Sequence, residues 1–261
     1  MEANMAPRSV PAHIAIHGID LVNLGLDEAV DAIVSAVETR QPTKVAFVNA
    51  DCANIAARDP AYRAALEGTD WVFVDGSGMR IAGEILHQPV RDNVNGTDLF
   101  PRLCGALAGK NHRVFLLGAR PGIAEAVGRW MRSRYPGVTL AGSYHGYFRP
   151  SELPGLLRMI RAARPDVLLV AFGAPMQEQW INQHMNSTGA TVVIGVGGLF
   201  DYYSGRIPRA PRWMRQSGLE WLFRLIQEPG RLWRRYLVGN LVFLARTGLA
   251  RLRLARTPPQ T

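Results

Sequence analysis

At 261 residues with 48% apolar side chains, the chain is long enough for one substantial core and too apolar to be disordered. Its formal net charge of +9 is segregated: residues 202–261 carry twelve arginines, no lysine and only two acids, Glu220 and Glu228, so removing their net +10 leaves −1 for residues 1–201. Two cysteines, Cys52 and Cys104, without metal-ligand spacing exclude a disulfide scaffold or a zinc module, and the ten-residue apolar run at 236–245 is well short of the roughly 17–25 residues of a membrane span.

Residues 1–13 contain two prolines and no apolar stretch, and read as a lead-in rather than a targeting peptide. The thiols are expected to be reduced core fillers in a cytoplasmic setting. Continuous apolar runs then recur between helical stretches, at residues 45–49, 71–74, 113–117, 138–141, 167–172 and 192–196. Strands apolar on both faces and separated by crossover-length segments predict an α/β class: a doubly wound, mostly parallel sheet with helices on both faces. After Asp201 the pattern changes to Arg- and Trp-rich helices broken by Pro208, Pro211 and Pro229-Gly230. The predicted division is therefore a ligand-binding α/β domain over 1–201 and a basic helical appendage over 202–261.

Ligands of such sheets sit beyond the carboxyl ends of the strands. The polar residues placed there are Asn49 and Asp51, Asp75 and Gly76, Gly118, the loop 143–148 with His145, Gly173 with Gln177 and Glu178, and Gly197, Gly198 and Asp201. Asp75 reads either as a general base or as a cap of the next helix, and Asp51 reads more readily as a cap. Gly76 and Gly78 fail the dinucleotide fingerprint because Ile81 stands where its third glycine belongs. Of Gln177 and Glu178, on different faces of a helix start, one is expected to meet the ligand and the other to pair structurally. The glycines after several strands favour a nucleotide-type site. With no Asp-x-Asp, GxxxxGK[ST], HExxH or CxxC, neither a tightly bound metal nor a cofactor is expected.

Taken together, these blocks resemble the WecG/TagA/CpsF glycosyltransferases, glycosyltransferase family 26. The resemblance runs from about Val45 to Tyr236 and rests on Asn49, Asp75-Gly76, NGTDL at 95–99, VFLLG ending at Gly118, GYF at 146–148, PDVLLVAFGAPMQE at 165–178, GVGGLFD at 195–201, RAP at 209–211 and EWLFRLIQEPGRLWRR at 220–235. It implies inverting, metal-independent transfer from a UDP-sugar to a polyprenyl-diphosphate-linked saccharide in bacterial surface or exopolysaccharide synthesis. The hexosyl group would be N-acetylmannosaminyl, N-acetylmannosaminuronyl or glucosyl. Carried onto this chain, it makes Asp75 the base and Gln177 a substrate-orienting group. Asn49, Gly76, Asn95, Asp98, Gly118, Tyr147, Gly173, Glu178, Gly197, Gly198 and Asp201 would contact substrate, with Arg209, Arg224, Arg231 and Arg234 on the diphosphate and Arg235 as an adjacent substitute. Phe47 stands where many members have threonine and Asn93 where many have arginine, and Arg91 is expected to take over that cationic role.

Residues 237–255 mix apolar residues with Arg246, Arg251 and Arg253, and Arg256 follows them, a pattern that suits a helix lying on an anionic membrane surface; packing on the protein's own core or on a second copy is the alternative. The resemblance places the enzyme at the cytoplasmic face of the plasma membrane and leaves a homo-oligomer open. Two other readings remain: a nicotinamide-dependent oxidoreductase on the same fold, and a non-enzymatic nucleic-acid binder using the basic tail without sequence specificity.

Overall fold

A computed structural model describes residues 12–256, the side chains of Ala255 and Arg256 excepted; residues 1–11 of the expected lead-in and 257–261 lie outside the described residues. The chain begins with a hairpin, β1 (His13–Ile16) and β2 (Ile19–Val22), turning at His17 and Gly18 with φ of 54° and 71°, the positive values a tight two-residue turn requires. His13 is thus part of a strand. After α1 (Leu26–Glu38) come β3 (Thr43–Val48), α2 (Ala50–Ala56), α3 (Pro60–Glu67), β4 (Trp71–Val74), α4 (Ser77–Ile85) and α5 (Gly96–Leu107). There follow β5 (Arg113–Gly118), α6 (Ile123–Arg134), β6 (Thr139–Tyr144), α7 (Leu153–Ala163), β7 (Val167–Ala171), α8 (Met176–Thr188), β8 (Val192–Gly195) and α9 (Leu199–Tyr203).

The eight strands form one sheet in the order β1-β2-β4-β3-β8-β7-β5-β6, parallel throughout except for the β1–β2 hairpin. Successive strand residues enter opposite cores, as a period of two dictates. Val45, Phe47 and Phe73 pack with α1, α5, α6 and α9 on one face. Ala46, Val48, Val72 and Val74 pack with α2, α3 and α4 on the other, and Leu168 and Val170 with α7 and α8. Cys52 and Cys104 are both buried in these cores, and burial pushes each thiol up to about 12.

The expected boundary at 201/202 falls inside α9. Beyond it, α10 (Arg212–Gln216), α11 (Glu220–Gln227) and α12 (Pro229–Trp233) lead through a π-helical turn at Arg234–Val238 into α13 (Gly239–Arg256). Helix α13 returns to the core. Phe243 is 1% exposed and joins the α2–α4 cluster, Arg246 Nη1 donates to Asn54 Oδ1 at 3.1 Å, and His17 Nε2 lies 2.8 Å from Thr247 Oγ1. The opposite side of the same helix is apolar too: Leu241, Leu249 and Leu252 are 70%, 56% and 56% exposed, and their spacing puts them on one outward face. No helix among the described residues is long and apolar enough to cross a membrane.

Candidate active site

The core and the appendage enclose a cleft of about 180 Å³ beyond the ends of β3 and β4. From the core it is lined by Asn49, Ala50, Asp51, Asp75, Gly76, Ser77, Gly78, Asn93, Asn95 and Thr97, and from the appendage by Tyr202, Arg215, Gly218, Glu220, Trp221, Arg224, Arg235, Tyr236 and Asn240. The N-terminal ends of α2, α4 and α5 open onto it, and free N–H groups there favour negative charge.

Asp75 follows the last residue of β4 and its amide donates to Val48 O at 2.9 Å, so the sheet itself positions it. It does not cap α4; Gly76 occupies that place, with a φ of 93° that a residue with a side chain rarely adopts. The Gly76 amide donates to Asn93 Oδ1 at 2.6 Å. Asn49, and not Asp51, caps α2: its Oδ1 accepts from Asp51 N and Cys52 N, each at 3.1 Å. That commitment leaves the amide group of Asn49 to hydrogen-bond the Asp75 carboxyl. Burial raises Asp75 above the ordinary carboxylate range, the Asn49 bond opposes this, nearby Glu220 adds to it, and Arg235 and Arg224 oppose it. A carboxyl moved upward in this way is suited to proton abstraction near neutrality.

The appendage is fastened by ion pairs to the acids of the core. Arg235 Nε lies 3.0 Å from Asp51 Oδ2. Arg209 bridges Asp98 Oδ1 at 2.8 Å and Glu220 Oε1 at 3.4 Å, with Arg215 3.5 Å from the same Asp98 oxygen. Asn95 caps α5 by accepting from Asp98 N and donating to Asp98 Oδ2, both at 2.8 Å. Against its burial, the Asn95 bond and the Arg209 charge hold Asp98 below the usual carboxylate range. Arg224 differs from these arginines. It lines the cleft with its guanidinium 5.3 Å from the Tyr202 ring centroid, its buried Nε has no hydrogen-bond partner, and among the described residues no ion pair involves it. A Cβ at Gly198 would stand 2.6 Å from Arg224 Nη2, so the β8–α9 loop comes up against this cation.

The cleft gathers only some of the residues predicted from the sequence. Asn49, Asp75, Gly76, Asn95 and Arg224 line it, and Asp98, Arg209 and Gly198 stand behind its wall. Neither Gln177 nor Glu178 reaches it, contrary to expectation: they are 4% and 1% exposed. Gln177 Oε1 accepts from Gly173 N at 3.1 Å and Gly197 N at 2.9 Å, and its Nε2 donates to Glu178 Oε1 at 2.8 Å. The pair therefore staples the β7–α8 loop to the β8–α9 loop. Gly118 ends β5 beside Ala171 of β7, and Asp201 is paired with Arg206 at 2.7 Å. Tyr147 is 69% exposed beyond β6, with its amide donating to His145 Nδ1 at 3.2 Å.

Arg91 is exposed and ion-paired with Glu28 of α1 at 2.7 Å, away from the cleft; Asn93 itself fills the place beside Gly76. Phe47 is 7% exposed and faces Phe73 in the core. Arg231 pairs with Glu228 and Arg234 lies over Trp233, outside the cleft, whereas Arg235 is within it. Sequence reasoning missed Asn93, Tyr202, Glu220 and Asn240. Glu220 did carry signals: it is one of two acids in an otherwise basic segment and the first residue of the 220–235 block.

Residues 14–257 match the profile of the glycosyl transferase WecG/TagA/CpsF family. The chain is 33% identical over 223 residues to the N-acetylglucosaminyldiphosphoundecaprenol N-acetyl-beta-D-mannosaminyltransferase of Bacillus subtilis (strain 168), covering 85% of this chain and 86% of that one. It is 34% identical over 218 residues to the protein of the same name from Bacillus spizizenii, covering 81% and 83%. With that from Staphylococcus aureus (strain MW2) it shares 31% identity over 237 residues, 90% of each chain.

Proposed function

The chain belongs to the glycosyl transferase WecG/TagA/CpsF family, and from that premise we propose that it transfers a hexose, with inversion, from a UDP-sugar to the nonreducing sugar of a polyprenyl-diphosphate-linked saccharide. The relatives named above are N-acetylmannosaminyltransferases acting on N-acetylglucosaminyl-diphosphoundecaprenol, which supports the reaction type. The observation that carries the mechanism is one cleft holding a strand-end carboxyl, Asp75, and a cation, Arg224, that has no ion pair among the described residues and a buried Nε without a hydrogen bond there.

In this reading Asp75 takes the proton of the acceptor hydroxyl as that oxygen attacks the anomeric carbon. The bond from that carbon to the diphosphate oxygen breaks, and the electron pair leaves with UDP. The charge developing on the diphosphate meets Arg224 and the N-terminal ends of α2, α4 and α5, and electrostatic stabilisation of this kind is often the largest contribution to catalysis. The nucleotide lies along the loops that hold Gly173, Gly197, Gly198 and Asp201, which Gln177 keeps in register, and extends toward Gly118 and Tyr147. Arg231 and Arg234 approach the diphosphate from the rim. No metal is required in this scheme.

The outward leucines of α13, with Leu237 and Val238 before them, set the cleft against the cytoplasmic leaflet where a lipid-linked acceptor lies. Docking on the core and facing the membrane are thus two sides of one helix. The test is to supply the purified protein with a panel of UDP-hexoses and a short-chain polyprenyl-diphosphate N-acetylglucosamine. Release of UDP with a lipid product one hexose larger is expected from one donor; no transfer from any of them overturns the reading.

A further inference from the structure

Glu220 stands in the wrong place for an acid whose only task is an ion pair. It opens α11 on the appendage and lines the same cleft as Asp75, close enough for its charge to act on that carboxyl. Two carboxylates brought together in a partly dry cleft repel each other. Arg209 engages Glu220 through Oε1 at 3.4 Å, and Arg209 is itself held by Asp98 and, through Asp98, by Asn95. The side chain, 31% exposed, is thereby held at one oxygen, and no hydrogen bond or ion pair among the described residues engages the other. The uncharged lining of the cleft includes the hydrogen-bonding side chains of Ser77, Asn93, Thr97 and Asn240. The rings of Trp221 and Tyr236, 6.0 Å apart, stand beside them. Carboxylate, amides, hydroxyls and aromatic faces together match a neutral polyhydroxylated ring, beside the Arg224 cation that meets the diphosphate in the same cleft.

We propose that Glu220 is a substrate-contacting residue that accepts hydrogen bonds from hydroxyl groups of the acceptor sugar, from the appendage wall of the cleft that holds Asp75. The proposal rests on the glycosyl-transfer reading and adds a residue to it. It also gives the appendage a second task. The charged groups that share the cleft with Asp75 are Glu220 and Arg224 of α11, Arg235 of the π turn, Arg215 of α10 and Asp51 of α2, the last paired with Arg235. The appendage thus supplies both the acceptor contact and the carboxylate charge that raises Asp75, opposed by its own Arg224 and Arg235.

The experiment compares full-length wild type, Glu220→Gln and Glu220→Asp for transfer kinetics with each substrate, UDP binding by calorimetry, and the pH profile of kcat/KM. Loss of one hydrogen bond to a charged acceptor predicts a fall of about 10- to 100-fold in kcat/KM for the acceptor in Glu220→Gln, with UDP affinity unchanged. Its acid limb moves to lower pH, because a like charge facing Asp75 has gone; Glu220→Asp, which keeps the charge, retains the wild-type limb while losing acceptor affinity. An acceptor KM and acid limb in Glu220→Gln equal to those of wild type overturn the proposal. So does equal damage toward both substrates with an unmoved limb, the mark of a merely structural ion pair. A wild type that transfers from no UDP-sugar overturns the parent reading, and the Glu220 proposal with it.

Discussion

Replacing Glu178 by Gln should make the protein more resistant to alkaline denaturation without touching the cleft. Glu178 is 1% exposed, its Oε2 has no hydrogen-bond partner among the described residues, and its Oε1 accepts from Gln177. Burial raises its pKa from 4.5 to about 7, with the Gln177 bond opposing the rise. A folded-state value above the unfolded one means that the fold prefers the protonated carboxyl. Its contribution is therefore fully present below about pH 4.5 and is lost as pH rises through about 7. At 1.36 kcal/mol per pH unit the loss is about 3 kcal/mol, a large fraction of a typical folding free energy. Glutamine keeps an oxygen for Gln177 and cannot ionise. Urea unfolding of both proteins, followed by tryptophan fluorescence between about pH 5 and about pH 9, should show the variant gaining about 2–3 kcal/mol relative to wild type across that range. Parallel stability curves would refute a buried, neutral-leaning Glu178.

Arg224→Ala should lower kcat by about 10²–10³-fold, as removal of one electrostatic stabiliser of a leaving group does, while leaving the unfolding midpoint nearly unchanged, since no ion pair of Arg224 is broken among the described residues; steady-state kinetics beside a thermal melt checks both. Changing Leu241, Leu249 and Leu252 together to Ser should reduce partition onto anionic vesicles by at least about tenfold, because each inserted leucine contributes on the order of 1.5–3 kcal/mol, and should leave transfer to a short-chain, detergent-soluble acceptor intact. Unchanged sedimentation with vesicles would assign those side chains to something other than lipid.

The parallel sheet was readable because strands covered on both faces are apolar at successive positions, as β7, β8 and residues 45–48 of β3 are. The β1–β2 hairpin was not, since β1 buries only Ile14 and Ile16 and turns through a His-Gly pair with no strong turn signature. Looking just past each strand end located Asp75 and Asn49. The same rule pointed at Gln177 and Glu178, where the fold spends the polar groups on joining two loops rather than on a ligand. Local pattern does not distinguish these uses, because the partners of Gln177 are backbone amides of Gly173 and Gly197 that only the tertiary fold brings together. Asn240 was hidden for a related reason: its place in the cleft depends on α13 docking through Phe243 and Thr247, and no periodicity in residues 202–261 records where that helix lands. Arg231, Arg234 and Arg235 illustrate the limit, since a π turn decides which of these neighbouring arginines enters the cleft. Such turns often occur at functional sites.

The central claim, that Asp75 is the base of a hexosyl transfer, is tested most directly by Asp75→Asn. The amide is nearly isosteric, can keep the hydrogen bond from Asn49 through its oxygen, and removes the proton acceptor. Single-turnover transfer from the preferred UDP-sugar, measured beside UDP binding on the same preparation, should show UDP affinity retained and the transfer rate reduced by about 10²–10⁴-fold. Transfer at a near-wild-type rate with UDP bound would contradict the assignment.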